Sequence, residues 1–173
     1  MSDKRVLNLL FTRQAVFLSK KCIYAIQATT YLALAEDQPY VPIREIADKL
    51  KISFHFLTKI LQELGRHKLV ATYRGPAGGA RLVRSPEEIT VEEIILALDE
   101  KDMFNQCVLG FAGCGKERPC PFHERYAELR GQMQQMFRTI TVADLRRGVE
   151  QKQMRMAAFP NDDSSQDPSA PAD

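Results

Sequence analysis

The sequence predicts a mainly α-helical fold: a winged helix-turn-helix domain with a small β-hairpin wing, plus a long C-terminal dimerisation helix. Three observations predict it. Two short amphipathic stripes between Pro42 and Val70 are separated by a break at Lys51-Ile52-Ser53. Two strand-like runs then flank the turn RGPAGG. Further on, Tyr126, Leu129, Met133, Met136 and Ile140 step by 3, 4, 3 and 4 residues, the spacing of an a/d seam for a partner helix.

Each element has a local cause. Residues 1–17 show no clean period and read as an N-terminal extension. Ser19 can cap a helix in which Cys22, Ala25, Ile26, Thr29, Leu32 and Ala33 recur at helical spacing, and Asp37-Gln38-Pro39 ends it. Pro42 starts a second helix with the stripe Ile43, Ile46, Ala47 and Leu50. Ser53 suits the N-cap of a third, whose stripe is Leu57, Ile60, Leu61 and Leu64. Val70 to Tyr73 and Ala80 to Val83 are strand-like, with Arg74 to Gly79 as the turn, so a hairpin directly follows the helix-turn-helix. Thr90 and Glu93 form a capping box for TVEEIILALDE, which buries Ile94, Ile95 and Leu98. A cysteine-bearing loop precedes the long helix, and Thr141 caps a short terminal one. The tail PNDDSSQDPSAPAD is polar, acidic and Pro-rich. The division is thus an extension (1–17), the DNA-binding domain (18–100), a cysteine-rich cluster-binding loop (101–123), dimerisation helices (124–152) and a disordered tail (153–173).

Charge supports nucleic acid as the partner. Arg44 to Arg84 hold nine Lys/Arg against three acids, whereas the net charge of the whole chain is only +2. Such a basic stretch can be a plain solvated surface, but here it coincides with the helix-turn-helix and hairpin. The second helix of such a unit enters the major groove by its N-terminal residues. Those are Ser53, His55, Phe56, Thr58 and Lys59. Two aromatics at one helix start, Phe54 and Phe56, cannot both be buried; one can meet a thymine methyl or both can pack on the wing. Arg74 at the wing tip can reach into a narrow minor groove, and Gly78 and Gly79 let the backbone approach phosphates.

Other classes find little support. No apolar run spans a bilayer, and the N-terminus lacks a sustained signal-peptide core, so a cytoplasmic location without membrane attachment is expected. His55, His67 and His123 have no evident Ser or Asp partner; neither an enzyme nor a small-molecule substrate is expected.

The stretch CVLGFAGCGKERPCPFH holds three of the four cysteines. In a reducing compartment, clustered thiols more often bind metal than form disulfides. Cys107, Cys114, Cys120 and His123, spaced C-x6-C-x5-C-x2-H, can complete a tetrahedral zinc site or hold an iron–sulfur cluster. Zinc sites favour two tight knuckles and only the Cys120/His123 half fits, so the wide gaps favour a cluster. A metal-free thiol pair comes third, because no C-x2-C is present.

SKKCIYAIQATTYLA, ISFHFLTKILQEL, RGPAGGARL and the C…C…CPFH loop followed by TVADL together resemble the Rrf2 family of winged-helix transcription regulators. That family includes an iron–sulfur cluster biogenesis regulator and a nitric-oxide-sensing repressor. The resemblance runs from about Leu18 to Leu145. It implies a homodimer crossing at the long helices, double-stranded DNA as partner, and a cluster whose presence or damage alters DNA binding. It carries Cys107, Cys114 and Cys120 over as ligands, with His123 as the fourth. Other members take the fourth ligand from an acidic residue where this chain has Ile23, leaving neighbouring Cys22 a lesser claim. A 2Fe–2S cluster is expected ahead of 4Fe–4S, with zinc as the alternative. At Thr58 the biogenesis regulator has a glutamate that restricts its sites, so the same operator is not implied. The function expected is a regulator sensing redox state, iron–sulfur status or nitric oxide. Its rivals are a DNA-binding protein with structural zinc and an iron–sulfur carrier or thiol redox protein.

Overall fold

The computed structural model describes residues 18–75, 78–98 and 104–151. The expected extension (1–17) and disordered tail (153–173) lie outside the described residues.

Helix α1 (Lys20–Leu34) begins where Ser19 Oγ accepts from the Cys22 backbone N–H at 3.1 Å. Its small buried residues Cys22, Ala25, Ala28 and Ala33 let neighbours approach closely, and it forms the central pillar of the domain. Thr29 and Thr30 are fully buried at no hydrogen-bonding cost, since their hydroxyls donate to the Ala25 and Ile26 carbonyls one turn back.

Helices α2 (Ile43–Lys49) and α3 (Phe54–Arg66) form the helix-turn-helix. The turn places Lys51 at φ 52°, a left-handed conformation that non-glycine residues seldom adopt. Two backbone bonds hold it, from Lys51 N–H to Asp48 and from Ile52 N–H to Ala47. Leu57, Ile60, Leu61 and Leu64 are wholly buried, so truncating one to alanine would cost about 2–5 kcal/mol.

Strands β1 (Val70–Tyr73) and β2 (Gly79–Leu82) pair antiparallel, from Val70↔Leu82 to Tyr73↔Gly79. The second strand lies one residue earlier than the alternation predicts, because Gly79 pairs with Tyr73 and Val83 is exposed past the end. A third strand segment, absent from the sequence reading, is the bridge Val41↔Ala80, which exchanges bonds of 2.9 and 2.8 Å.

A short 3-10 turn (Pro86–Glu88) leads to α4 (Val91–Ala97), opened by the Thr90/Glu93 capping box. After the cysteine loop come α5 (His123–Thr139) and α6 (Val142–Glu150). Thr90 and Thr141 form a second bridge, closed by Val91 N–H to Ile140 and Val142 N–H to Ile89. One expectation about the long helix is corrected here. Ile140 is the C-cap of α5, in extended backbone, so the helix ends at Thr139, and the Ile140 side chain is partly buried against the core. Helix α6 packs on α1, with Val142 fully buried. Buried Glu92 clasps α4 to α5, accepting from Arg138 Nε at 2.9 Å, Arg138 Nη2 at 3.2 Å and Gln134 Nε2 at 2.8 Å. The Arg138 hydrogen bond holds its carboxyl below the ordinary glutamate range, against the opposing effect of burial.

Candidate nucleic-acid interface and metal-ligating loop

The amphipathic cut of α3 turns Ser53, His55, Phe56 and Lys59 to the surface. Ser53 Oγ is engaged as the N-cap, accepting from Phe56 N–H at 3.4 Å, yet its own proton remains available to donate. Thr58 is half-buried and donates to the Phe54 carbonyl at 2.7 Å, leaving its oxygen as an acceptor. Both phenylalanines are partly exposed. Phe56 packs edge-on against Tyr24, ring centroids 6.0 Å apart, while Phe54 lies beneath the Arg44 guanidinium at 5.7 Å. Phe56 is therefore propped by α1, not by the wing.

Between α2, α3 and the wing runs an open groove of about 650 Å³. Arg44, Phe54, Thr58, Gln62, Tyr73 and Arg74 line it, and none of its lining residues is acidic. Arg44, Gln62 and Tyr73 were not singled out from sequence. Their signal is weak there, because only the packing of the wing beside α3 brings them to one edge. Gly78 and Gly79 also line the groove, and both are glycine for a packing reason as well: a Cβ on Gly78 would stand 2.5 Å from the Tyr73 carbonyl oxygen. Gly79 is buried, and a Cβ on it would stand 2.2 Å from the Val41 carbonyl oxygen. Its missing side chain makes room for the Val41 bridge.

The cysteine loop brings its three thiols together. Their sulfurs lie within 4.8 Å of one another, with Cys107 Sγ 3.5 Å from Cys120 Sγ. The C-x2-H turn closes through His123 N–H to the Cys120 carbonyl at 2.9 Å. This makes His123 the first residue of α5 and sets its Nδ1 3.4 Å from Cys114 Sγ. His123 makes no side-chain cap, and the N-cap position belongs to Phe122. Cys22 stands apart, fully buried in the core of α1 and outside the thiol group. The Cys107 thiol is pulled down to about 7, first by the Phe111 backbone N–H and further by that of Leu109 and by the neighbouring thiols. Burial pushes Cys120 the other way.

This donor set fits a soft metal centre. Thiolate and imidazole ligands select zinc or iron–sulfur clusters, and one ligand already sits at a helix N-terminus, where an anionic assembly is favoured. The buried Arg130 Nε, on a residue lining the same small pocket, has no hydrogen-bond partner among the described residues.

The Rrf2 family profile, described as an iron-dependent transcriptional regulator, matches residues 18–148. The chain belongs to the Rrf2 family. As a member it is a DNA-binding transcriptional regulator and not an enzyme. The HTH-type transcriptional regulator IscR of Sodalis glossinidius is 34% identical over 128 residues, covering 74% of this chain and 77% of that protein. IscR of Serratia proteamaculans is 32% identical over the same length and coverage. Among solved structures, T. potens IscR superposes with a TM-score of 0.61 at 26% identity, covering 80% of this chain and 92% of that one. CymR, the global cysteine regulator of B. subtilis, shares the fold with a TM-score of 0.64 at 22% identity, covering 75% and 95%. No described helix of this Rrf2 chain is long and apolar enough to cross a membrane.

Proposed function

We propose that this regulator is a cytoplasmic homodimer that senses redox state, iron–sulfur status or nitric oxide through a cluster, 2Fe–2S ahead of 4Fe–4S, held by Cys107, Cys114, Cys120 and His123. The observation that carries the reading is the convergence of three sulfurs within 4.8 Å, with His123 Nδ1 3.4 Å from one of them, on a chain that also presents a basic winged helix. When bound, such a cluster supplies a redox couple whose potential depends on its ligands. The protein's own residues supply the rest. His123 is at once ligand and first residue of α5, so the state of the loop bears directly on that helix. At the other end of α5, Arg138 and Gln134 grip Glu92 of the DNA-binding domain.

On DNA, Ser53, His55, Phe56, Thr58 and Lys59 meet base edges in the major groove, Arg74 enters the minor groove and Gly78 lets the wing backbone near phosphate. Tyr126, Leu129, Met133 and Met136 form the dimer seam, with Ile140 just past the helix end. Helix α5 has no buried residue along its length, and Leu129 and Met136 are exposed on it, which supports an apolar face covered by a second copy.

The compact sulfurs favour one second reading, a single zinc ion, whose tetrahedral thiolates stand about 3.8 Å apart given Zn–S bonds of about 2.3 Å. Purification without oxygen separates the two. A brown protein with visible absorption, iron and sulfide supports the cluster, and a colourless protein with stoichiometric zinc overturns it. Cys107→Ala, Cys114→Ala and Cys120→Ala should each abolish cofactor retention, and His123→Ala should alter the spectrum. A gel shift with and without the cofactor tests regulation; equal DNA binding in both states would refute a sensing role.

A further inference from the structure

Arg130 of α5 lines the ligand pocket and bonds the loop backbone. Its Nη1 donates to the Gln106 carbonyl at 2.8 Å, immediately before Cys107. Its guanidinium lies over the Tyr126 ring, 5.2 Å from the centroid. Both Arg130 and Tyr126 line the pocket formed by the three cysteines and His123. The Arg130 Nε is buried without a partner among the described residues. A buried guanidinium donor left unpaired is costly, by more than a neutral group would be, and arginine's planar fork is well suited to satisfying two acceptors at once. One acceptor is already present in Gln106, and the cysteine sulfurs that could be the other line the same pocket.

We propose that Arg130 is a charge-compensating and positioning residue of the thiolate site, whose Nε–H donates to a sulfur of the assembled centre while Nη1 pins the loop at Gln106. This rests on the reading of the cysteines as metal ligands. A divalent ion with three thiolates and one imidazole carries a net negative charge, and burying that charge is unfavourable unless a cation stands beside it. Arg130 supplies the cation from the first turns of α5, on the same side as the ligand His123.

Cobalt(II) is the probe, titrated anaerobically into the full-length apoprotein and its Arg130→Met, Arg130→Lys and Cys114→Ser variants. Losing one charge-assisted hydrogen bond should weaken cobalt binding by roughly tenfold in Arg130→Met. It should also move the thiolate-to-cobalt charge-transfer band to lower energy, since the sulfur loses a donor. The affinity gap should narrow as salt rises, which loss of a purely mechanical anchor would not do. Arg130→Lys restores charge without the planar fork, so its affinity should be intermediate. A parent-like affinity and band position in Arg130→Met overturns the proposal. If that variant fails to fold by circular dichroism, a parent-like Arg130→Lys overturns the donor role by itself. Cys114→Ser keeps the two failures apart. Loss of the tetrahedral cobalt spectrum there, with Arg130→Met unchanged, sinks only the arginine's role, whereas a parent-like Cys114→Ser spectrum sinks the metal site itself.

Discussion

Gly79→Ala tests whether the wing is anchored as the structure has it. A Cβ at this position would meet the Val41 carbonyl oxygen at 2.2 Å, the Val41 carbonyl carbon at 2.5 Å and the Pro42 nitrogen at 3.0 Å. All three are backbone atoms, so no flexible side-chain tip can swing away. Relief requires Val41 to withdraw from Ala80, breaking the reciprocal bonds of 2.9 and 2.8 Å that make the third strand. Two lost backbone bonds at about 1 kcal/mol each, with overpacking at about 1–3 kcal/mol, put the total near 3–5 kcal/mol. Urea unfolding followed by circular dichroism measures it. The variant should lose that stability, and any loss of DNA affinity should follow from the displaced wing. A destabilisation below about 0.5 kcal/mol, accompanied by weaker DNA binding at every salt concentration, would refute the reasoning and return Gly79 to the phosphate contact that the sequence suggests.

Arg74→Ala should weaken DNA binding by about 1–3 kcal/mol and relax preference at A/T-rich flanks; unchanged affinity across a salt series would remove the wing from the minor groove. Leu129→Glu places a charge on a residue exposed in the single chain, so the fold should survive while dimer dissociation rises at least about tenfold, or 1.4 kcal/mol; a fully dimeric variant by sedimentation at micromolar concentration would take α5 out of the interface. Glu92→Ala removes three hydrogen bonds to Arg138 and Gln134 and should cost about 1.5–3 kcal/mol at neutral pH. Because the Glu92 carboxyl is lowered in the fold, that contribution is whole above the ordinary glutamate range and is lost as pH falls through the lowered value. The gap between parent and variant should therefore close on acidification; a gap independent of pH would show that the charge is not what holds the clasp. Lys51→Gly relieves a left-handed residue and should raise stability by about 1 kcal/mol, checked by thermal unfolding; a destabilised variant would mean that the lysine side chain contributes more than its backbone costs.

What could be read from the sequence was what is decided within a few residues. Ser19, Ser53 and Thr90 cap the helices they were expected to cap, because the acceptor and the N–H it satisfies lie three residues apart. The stripe of α3 is buried as its period requires. Most of the misses depend on residues distant in the chain. Glu92 reads as an ordinary acid in a first helical turn, and its partner Arg138 lies 46 residues away. Val41 reads as a loop residue, since only Ala80 makes it a strand. Ile140 extends the seam by spacing alone, but the Thr141/Asp144 capping box starts a new helix there and forces Ile140 into extended backbone. At the ligand loop, spacing indicated the three cysteines and His123 but gave no sign of Arg130, whose pocket exists only once α5 is packed beside the loop.

The composition of that loop also bears on how a signal could leave it. Between residues 104 and 122 only Phe104 and Cys120 are buried, while Val108, Leu109, Phe111 and Phe122 are exposed. So little apolar burial cannot offset the entropy of fixing that many residues, at about 1–2 kcal/mol each. Backbone turns at Cys107–Gly110 and Phe111–Cys114 organise it locally but add little net stability. On the reading proposed here the missing free energy comes from the ligand bonds, for in small metal-dependent segments binding energy is folding energy. Loss of the cofactor would then release the loop together with its last ligand, His123, the residue on which α5 begins. Because the far end of α5 is tied to Glu92, a change at the thiols would be felt at α4 and, in the dimer proposed above, at its seam through one continuous helix. The recognition helix itself need not move within its own domain, where Leu57, Ile60, Leu61 and Leu64 fix it in the core. What such a change would alter is the placement of one α3 relative to the other, and paired half-sites are sensitive to that spacing.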